Sequence, residues 1–116
     1  AACAAKRFEV YFDQDQARLT TAARQAIGLT ATQLQGCDVT RVQVLGLADA
    51  RTGTAASNQS LSERRARSVA EALAGVGLPA PAFEIAAAGA EGAVVNGVND
   101  PLRRRTEVVI EARPRR

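Results

Sequence analysis

Histidine is absent from this chain of 116 residues. Its absence excludes the commonest general base of enzymes, the serine–histidine–aspartate triad and most zinc sites. Tryptophan is absent too, and with only 3 Phe and 1 Tyr the core must consist mainly of alanine, valine, leucine and isoleucine. No hydrophobic run approaches the roughly 18–20 residues of a transmembrane segment. No intact signal peptide is recognisable, so we expect any targeting sequence to be removed or to lie outside this chain.

Length and composition predict one globular domain over residues 1–116, with a core over 7–112. The chain is 47% hydrophobic and 23% charged, which is typical of a folded protein. Its net charge is +3, and part of the arginine excess lies at the carboxyl terminus. We expect Arg113–Arg116 to form a solvated, flexible tail outside the fold. Nucleic acid is not an expected partner, because base-stacking aromatics and nucleic-acid motifs are missing.

Cys3 and Cys37 are the two cysteines, and each precedes a predicted strand by a few residues. If these strands run parallel, both cysteines lie at the same end of the sheet. A disulfide there would close a loop of about 34 residues and stabilise the protein by roughly 3–4 kcal/mol. Two separate thiols are the alternative. A third interpretation takes Ala1-Ala2-Cys3 as the remnant of a lipoprotein cleavage site.

Alternation of hydrophobic and polar residues predicts four strands, and hydrophobic residues at helical spacing predict two helices. Thr20 is the predicted N-cap of the first helix, and Ser60 with Glu63 forms a predicted capping box at the start of the second. The order βαβαββ predicts an α/β (α+β) two-layer sandwich, in which two helices cover one face of a mixed four-stranded sheet. The predicted strands are 7–12, 39–45, 83–87 and 106–112; the helices run from Thr20 to Gly36 and from Ser60 to Gly75; residues 90–101 form a long loop.

Asp49 follows the second predicted strand in a loop of small polar residues. Arg64 and Arg65 would then lie in the first turn of the next helix. A carboxylate that faces an arginine across a helix N-terminus suits a ligand that carries both an ammonium and a carboxylate. The structural alternatives are a loop-capping role for Asp49 and a surface position for Arg65. For Asp15, a turn role and a pocket role are both open.

The chain resembles the OmpA-like peptidoglycan-binding domain from Phe8 to Ile110. A Gly-x-x-Asp turn that leads into Asn-x-x-Leu-Ser-x-x-Arg-Ala is the main signature of that family, and further blocks match in the same order. The matching segments are Phe12-Asp13-Gln14-Asp15, Gly46-x-x-Asp49, Asn58, Leu61-Ser62, Arg65-Ala66, Gly89-x-Glu91 and Arg104-Arg105-x-Glu107.

The resemblance implies non-catalytic binding of peptidoglycan through the diaminopimelate of its stem peptide. It implies that Asp49 and Arg65 contact the diaminopimelate ammonium and carboxylate, and that Asp15 lines the pocket. Backbone at Leu61 would help to hold the carboxylate, while Asn58 and Arg104 shape the site. Such a protein would anchor the cell envelope in the periplasm, at the outer membrane of a Gram-negative bacterium, without a cofactor. That oxidising compartment favours the Cys3–Cys37 disulfide.

The chain departs from the family pattern at Leu47, Ala48, Ser57 and Arg103, where we expect pocket walls to be lost or charge to be added. A domain with a decayed pocket that serves protein contacts is therefore the main alternative. An enzyme would need a working carboxylate pair among Asp13, Asp15 and Asp49, and no nucleophile–base pair is present.

Overall fold

The computed structural model describes residues 3–50, 53–95 and 97–115. Thr20 caps the first helix as predicted, because its hydroxyl accepts a hydrogen bond from the Ala23 N–H at 3.0 Å. The elements, in chain order, are β1 (Lys6–Tyr11), α1 (Thr21–Gln33), β2 (Cys37–Gly46), α2 (Ala55–Gly75), β3 (Phe83–Ala87), β4 (Val94–Val95), β5 (Val98–Asn99) and β6 (Arg105–Pro114).

The main sheet has the strand order β1-β6-β2-β3. The central strand β6 pairs antiparallel with both β1 and β2, and β3 adds to β2 in parallel. Strands β1, β2 and β3 therefore all end at the same edge of the sheet. This arrangement confirms the predicted two-layer α/β sandwich with a mixed four-stranded sheet.

Both helices pack on one face of the sheet and share one hydrophobic core. The alternating strand residues Val42, Val44, Val108 and Ile110 are fully or almost fully buried, as period-2 patterning requires. They meet the hydrophobic stripe of α2, which consists of Ala66, Val69, Ala70 and Leu73. Ile27 of α1 and Leu34, the C-cap of that helix, belong to the same core.

The predicted start of α2 at Ser60 is wrong. The helix begins at Ala55, and Thr54 is its N-cap. The Thr54 hydroxyl accepts from the Ser57 N–H at 3.1 Å, and the Ser57 hydroxyl accepts from the Thr54 N–H at 2.8 Å. This capping box uses serine where glutamate or glutamine is usual, and the alanines that follow are strong helix formers. Arg65 thus lies in the interior of the helix and not in its first turn.

The prediction of a detached tail is wrong for Arg113–Arg115. Strand β6 continues to Pro114, which pairs with Cys37, while Arg113 pairs with Asp38. The Arg115 side chain reaches the Asp38 carboxylate at 3.4 Å and the Cys37 carbonyl at 3.4 Å. Proline removes only the backbone donor, so the strand can end at this residue. Arg116 lies outside the described residues.

Deletion of residues 113–116 should therefore destabilise the domain, because it uncovers the buried Cys37 and removes the last rungs of the β2–β6 ladder. We expect a loss of about 1–2 kcal/mol, or roughly 4–8 °C in melting temperature. Thermal unfolding followed by circular dichroism measures it. The variant Arg113→Ala/Arg115→Ala, which retains the backbone, is the control and should lose less. An unchanged melting temperature for the deletion would restore the tail interpretation.

A disulfide joins Cys3 and Cys37, whose Cα atoms are 5.6 Å apart. It connects the segment before β1 to the first residue of β2. These two strands run parallel on either side of β6, so their starts lie at the same end of the sheet. The lipoprotein interpretation conflicts with this bond, because the sulfur of a lipidated cysteine is already bound to the lipid. Ala1 and Ala2 lie outside the described residues.

The predicted loop at 90–101 contains structure of its own. Strands β4 and β5 form a two-stranded hairpin in which Val94 pairs with Asn99 and Val95 with Val98. Between the strands the sequence reads Asn-Gly, the strongest short-range signal for a hairpin, and Gly97 has a φ of 77°. The hairpin lies next to the loop that carries Asp49.

Candidate ligand-binding site

Three loops meet at the edge where β1, β2 and β3 end. Hydrogen bonds between backbones join them: Leu47 N–H donates to the Arg105 carbonyl at 2.9 Å, and Ala48 N–H donates to the Gly89 carbonyl at 2.8 Å. Phe12 N–H donates to the Arg104 carbonyl at 2.7 Å. The loop after β2 is thus held between its neighbours. This rigid setting fixes the position of Asp49.

Asp49 is only 7% exposed, although it lies at the surface end of the sheet. Arg104 Nε donates to its Oδ2 atom at 3.0 Å, and Asn99 Nδ2 reaches the same oxygen at 3.4 Å. The arginine side chain is itself 20% exposed. Asp49 and Arg104 therefore form a nearly buried ion pair whose arginine still has accessible surface. The structure brings together these two predicted site residues.

Arg65 lies beneath this pair and has no exposed surface. Its Nε donates to the Gln16 carbonyl at 2.8 Å, Nη1 to the Leu47 carbonyl at 3.0 Å and Nη2 to the Asp13 carbonyl at 3.0 Å. Its guanidinium also lies 5.3 Å from the centroid of the Phe12 ring, which adds a cation–π contact. Arg65 thus joins the loop after β1 to the loop after β2. It is not the surface arginine of the structural alternative.

The charges around Arg65 show that the predicted site residues are neighbours. Burial lowers the pKa of the Arg65 guanidinium below its ordinary value, and the positive charge of Arg104 lowers it further. The carboxylates of Asp49 and Asp15 oppose these effects and help to keep the guanidinium charged. Asp15 is exposed and adopts a left-handed φ of 59° in the turn after β1. All four residues therefore belong to one electrostatic cluster.

Leu61 and Asn58 belong to the first half of α2. Because the helix begins at Ala55, Leu61 lies inside it, where backbone N–H groups bond to carbonyls one turn earlier. Leu61 and Arg65 therefore do not lie at the helix start, where N–H groups are free, and the role of the Leu61 backbone that the resemblance implies stays a prediction. Asn58 is 8% exposed and lines a separate shallow cavity with Ala50, Gly53 and other residues. The Asp49–Arg104 pair does not line that cavity.

Three further residues of the signature fix the distance between β2 and α2. Gly46 approaches the helix so closely that a Cβ atom there would lie 1.9 Å from the Ser62 carbonyl oxygen. The buried Ser62 hydroxyl donates to the Gln59 carbonyl at 2.8 Å and accepts from the Gly89 N–H at 2.9 Å. The resemblance at Gly46, Ser62 and Gly89 thus reflects packing beneath the site.

The departures from the family pattern do not remove pocket walls in the way the sequence suggested. Leu47 and Ala48 are 2% and 0% exposed, so both side chains belong to the interior. Ser57 is part of the capping box of α2. Arg103 donates through Nη2 to the Gly89 and Glu91 carbonyls, and burial lowers its pKa. These substitutions alter packing and loop attachment around the site.

Asn99 contacts Asp49 and was missed by the sequence analysis. Its Oδ1 accepts from the Ala50 N–H at 2.7 Å while its Nδ2 faces Asp49. The hairpin signal Val-Val-Asn-Gly-Val-Asn in the long loop could have revealed an ordered segment there. Nothing in the sequence indicated that this segment turns back to the Asp49 loop.

Comparison with known proteins agrees with the fold and the motifs. A model of the OmpA family matches residues 11–107, and the chain belongs to that family. It is 33% identical over 103 residues to outer membrane protein A of Atlantibacter hermannii. The aligned region covers 87% of this chain and 42% of that protein. The corresponding protein of Klebsiella pneumoniae is also 33% identical over 103 residues, with 87% of this chain and 30% of the relative covered.

Two solved structures resemble the fold closely. The peptidoglycan-associated lipoprotein of Burkholderia pseudomallei has a TM-score of 0.75 and 27% identity, with 91% of each chain covered. The OmpA-like domain of FopA1 from Francisella tularensis has a TM-score of 0.77 at 24% identity, with 95% of this chain and 73% of that one covered. The second likeness concerns the fold alone.

The chain spans less than half the length of these two curated relatives, 42% and 30% respectively. The relatives carry names that place them in the outer membrane. Within the described residues, no helix combines the length and hydrophobicity that a membrane crossing requires.

Proposed function

We propose that this domain binds peptidoglycan through the diaminopimelate of the stem peptide, without catalysing a reaction. The observation that carries the proposal is the nearly buried pair of Asp49 and Arg104, 3.0 Å apart, at the loop edge of the sheet. The name of the structurally similar Burkholderia lipoprotein, which associates with peptidoglycan, supports the polymer as the partner. The domain would then work in the periplasm and attach the envelope to the cell wall.

The chemistry of the pair suits the free end of diaminopimelate, which carries an ammonium and a carboxylate on one carbon. Within the described residues, Arg104 and Asn99 both donate to Oδ2 of Asp49, so we propose that Oδ1 accepts from the ligand ammonium. The ligand carboxylate would meet Arg104, whose side chain is 20% exposed and whose buried Nη2 has no hydrogen-bond partner in the described part of the chain. A zwitterion sheds its water at low cost only if both charges find partners, and this pair offers one partner for each.

Arg65 supports the site from beneath through its bond to the Leu47 carbonyl, two residues before Asp49. Direct contact between Arg65 and the ligand, which the resemblance implies, would require the surrounding loops to move, because the Arg65 side chain has no exposed surface. That contact stays a prediction. Asp15, whose carboxylate also acts on the charge of Arg65, is the further residue that we propose for the pocket rim.

Asp49→Asn should abolish most of the binding, since the amide keeps the shape of the side chain but not its charge. Loss of the partner for the ligand ammonium should cost about 2–4 kcal/mol, or roughly 30- to 1000-fold in affinity. Pull-down on purified diaminopimelate sacculi, with free diaminopimelate as competitor, measures it. Sacculi that carry lysine instead lack the second carboxylate and should bind weakly.

The matched control is Asp100→Asn, the same charge change on the neighbouring hairpin. Asp100 caps the Leu102 N–H at 3.0 Å, and asparagine can do the same. We expect it to bind like wild type. Equal retention of wild type and Asp49→Asn on sacculi would refute the proposed site.

A module for protein contacts is the second candidate, and the burial of Arg65 favours it. This guanidinium has no exposed surface, and each of its three nitrogens already donates to a carbonyl, so the unliganded site does not present it to a ligand. A wild-type protein that folds but is not retained on sacculi would support this candidate over peptidoglycan binding.

A further inference from the structure

The β4–β5 hairpin contacts the carboxylate of the proposed site through one side chain. We propose that Asn99 is a positioning residue that fixes the plane of the Asp49 carboxylate and so aims the oxygen opposite Asn99 at a ligand. This inference rests on the proposed function for its consequence in binding. Its structural part concerns the free protein.

The two hydrogen bonds of the Asn99 amide fix its orientation. Its Oδ1 accepts from the Ala50 N–H at 2.7 Å, and its Nδ2 donates to Asp49 Oδ2 at 3.4 Å. A flipped amide would place a donor against the N–H and an acceptor against the carboxylate, so both neighbours select the same orientation. An asparagine satisfies both contacts from one short side chain. A serine has a single hydroxyl and cannot reach both the Ala50 N–H and the Asp49 carboxylate. An ionised aspartate has no hydrogen to donate to Asp49.

The second side chain that donates a hydrogen bond to Asp49 comes from another segment. Arg104 precedes β6 and donates to the same Oδ2 oxygen at 3.0 Å. Two donors on one oxygen restrain rotation of the carboxylate, whereas one donor would leave it free to turn about that contact. Among the described residues, the charged groups of this cluster are Arg104, which pairs with Asp49, Arg65 from α2 and Asp15 from the loop after β1. Asn99 is uncharged, unlike these groups. It can therefore restrain the carboxylate without changing the net charge of the site that a zwitterionic ligand would enter.

The hairpin is built to hold Asn99 in place. Asn99 pairs with Val94 across the two strands, and the Asp100 N–H donates to the carbonyl of the fully buried Ala93 at 2.8 Å. The base of the hairpin is therefore anchored in the fold. Val98, on the same strand as Asn99, is 69% exposed. Truncation of Val98 thus offers a control on the same strand.

A double-mutant cycle in binding tests whether Asn99 acts through Asp49. Free diaminopimelate is titrated into wild type, Asn99→Ala, Asp49→Asn and the double variant, with binding followed by NMR. We expect Asn99→Ala to weaken binding roughly tenfold in the wild-type background. In the Asp49→Asn background the same change should cost less than about twofold, because the carboxylate to be oriented is gone. Val98→Ala should bind like wild type.

Equal losses in both backgrounds would overturn the proposal, since they would mean that the hairpin acts independently of Asp49. Wild-type protein that does not bind diaminopimelate refutes the proposed function instead, and the positioning role is then decided without ligand. Crystal structures of the free variants report the torsion angle about the Cβ–Cγ bond of Asp49, which sets the plane of its carboxylate. They should show one carboxylate orientation in wild type and Val98→Ala, and a rotated or split orientation in Asn99→Ala. An unchanged orientation in Asn99→Ala would contradict the inference.

Discussion

Arg65→Ala should cost about 3–5 kcal/mol of folding stability, close to the loss expected when one partner of a buried charged network is removed. The side chain has no exposed surface, and its three nitrogens donate to carbonyls of two different loops. Alanine would leave these carbonyls without their donor and a cavity next to Phe12. For a domain of this size, the melting temperature should fall by roughly 12–20 °C. Thermal unfolding followed by circular dichroism measures it.

The chain supplies a matched control in the adjacent residue. Arg64 is exposed on the same helix, and Arg64→Ala should change the melting temperature by no more than about 2 °C. The melting temperature of Arg65→Lys should lie between those of wild type and Arg65→Ala. An ammonium cannot reproduce the three fixed directions in which a planar guanidinium donates. Equal stability of the two alanine variants would show that Arg65 does not hold the loops together.

The ligand-contact role and the surface position that the sequence suggested for Arg65 would both leave folding almost unchanged after its loss, and its burial reverses that expectation. It also changes how a binding defect is to be interpreted. Arg65→Ala would lower affinity even if the guanidinium never touched the ligand, since the loop with Asp49 depends on it through Leu47. Asp49→Asn is therefore the cleaner probe of ligand contact. Arg65→Lys, if it folds, separates the supporting role from a direct one.

Gly46→Ala should destabilise the domain by at least about 3 kcal/mol, more than most single methyl insertions do. The added Cβ would lie 1.9 Å from the Ser62 carbonyl oxygen and 3.0 Å from the Ala66 Cβ. The oxygen belongs to the backbone of a helix interior, so it cannot move aside as a flexible side chain could. Strand β2 and helix α2 would have to separate, and the loop with Asp49 would shift with them. Chemical denaturation measures the loss.

Gly28→Ala is the control for that substitution. Gly28 lies in α1, and a Cβ there would meet nothing within 4 Å. Alanine in a helix is favoured over glycine, so this variant should gain up to about 1 kcal/mol. The same glycine-to-alanine change is thus expected to have opposite signs at the two positions. Similar midpoints for both variants would contradict the close contact between β2 and α2.

The strands were predictable because their signal is local. Residues such as Val42, Val44, Val108 and Ile110 alternate with polar neighbours, and one face of a sheet buries every second side chain. The first helix was predictable at its N-terminus for the same reason, since Thr20 caps within one turn. The start of α2 was not, because two capping boxes follow each other within a few residues and only packing decides between them.

The members of the electrostatic cluster were predictable, but their burial was not. The family resemblance pointed to Asp49, Arg65, Asp15 and Arg104, and the structure places these four residues in one cluster. Their exposure depends on which loops fold over them, and that follows from contacts between residues far apart in the sequence. Gln16, Leu47 and Asp13 are separated from Arg65 by 49, 18 and 52 positions, and no local pattern records such a distance.

By itself, the sequence determined the two-layer α/β sandwich and the loop edge where the family motifs meet, because periodicity and turn chemistry act over a few residues. Only the tertiary structure decided that Arg65 is buried, that Arg104 is the accessible partner of Asp49 and that the hairpin returns to this carboxylate through Asn99. The physical reason is desolvation, because the surrounding loops decide how much water reaches a charged side chain. A fully buried charge supports the fold, whereas a charge that keeps some exposed surface can contact a ligand.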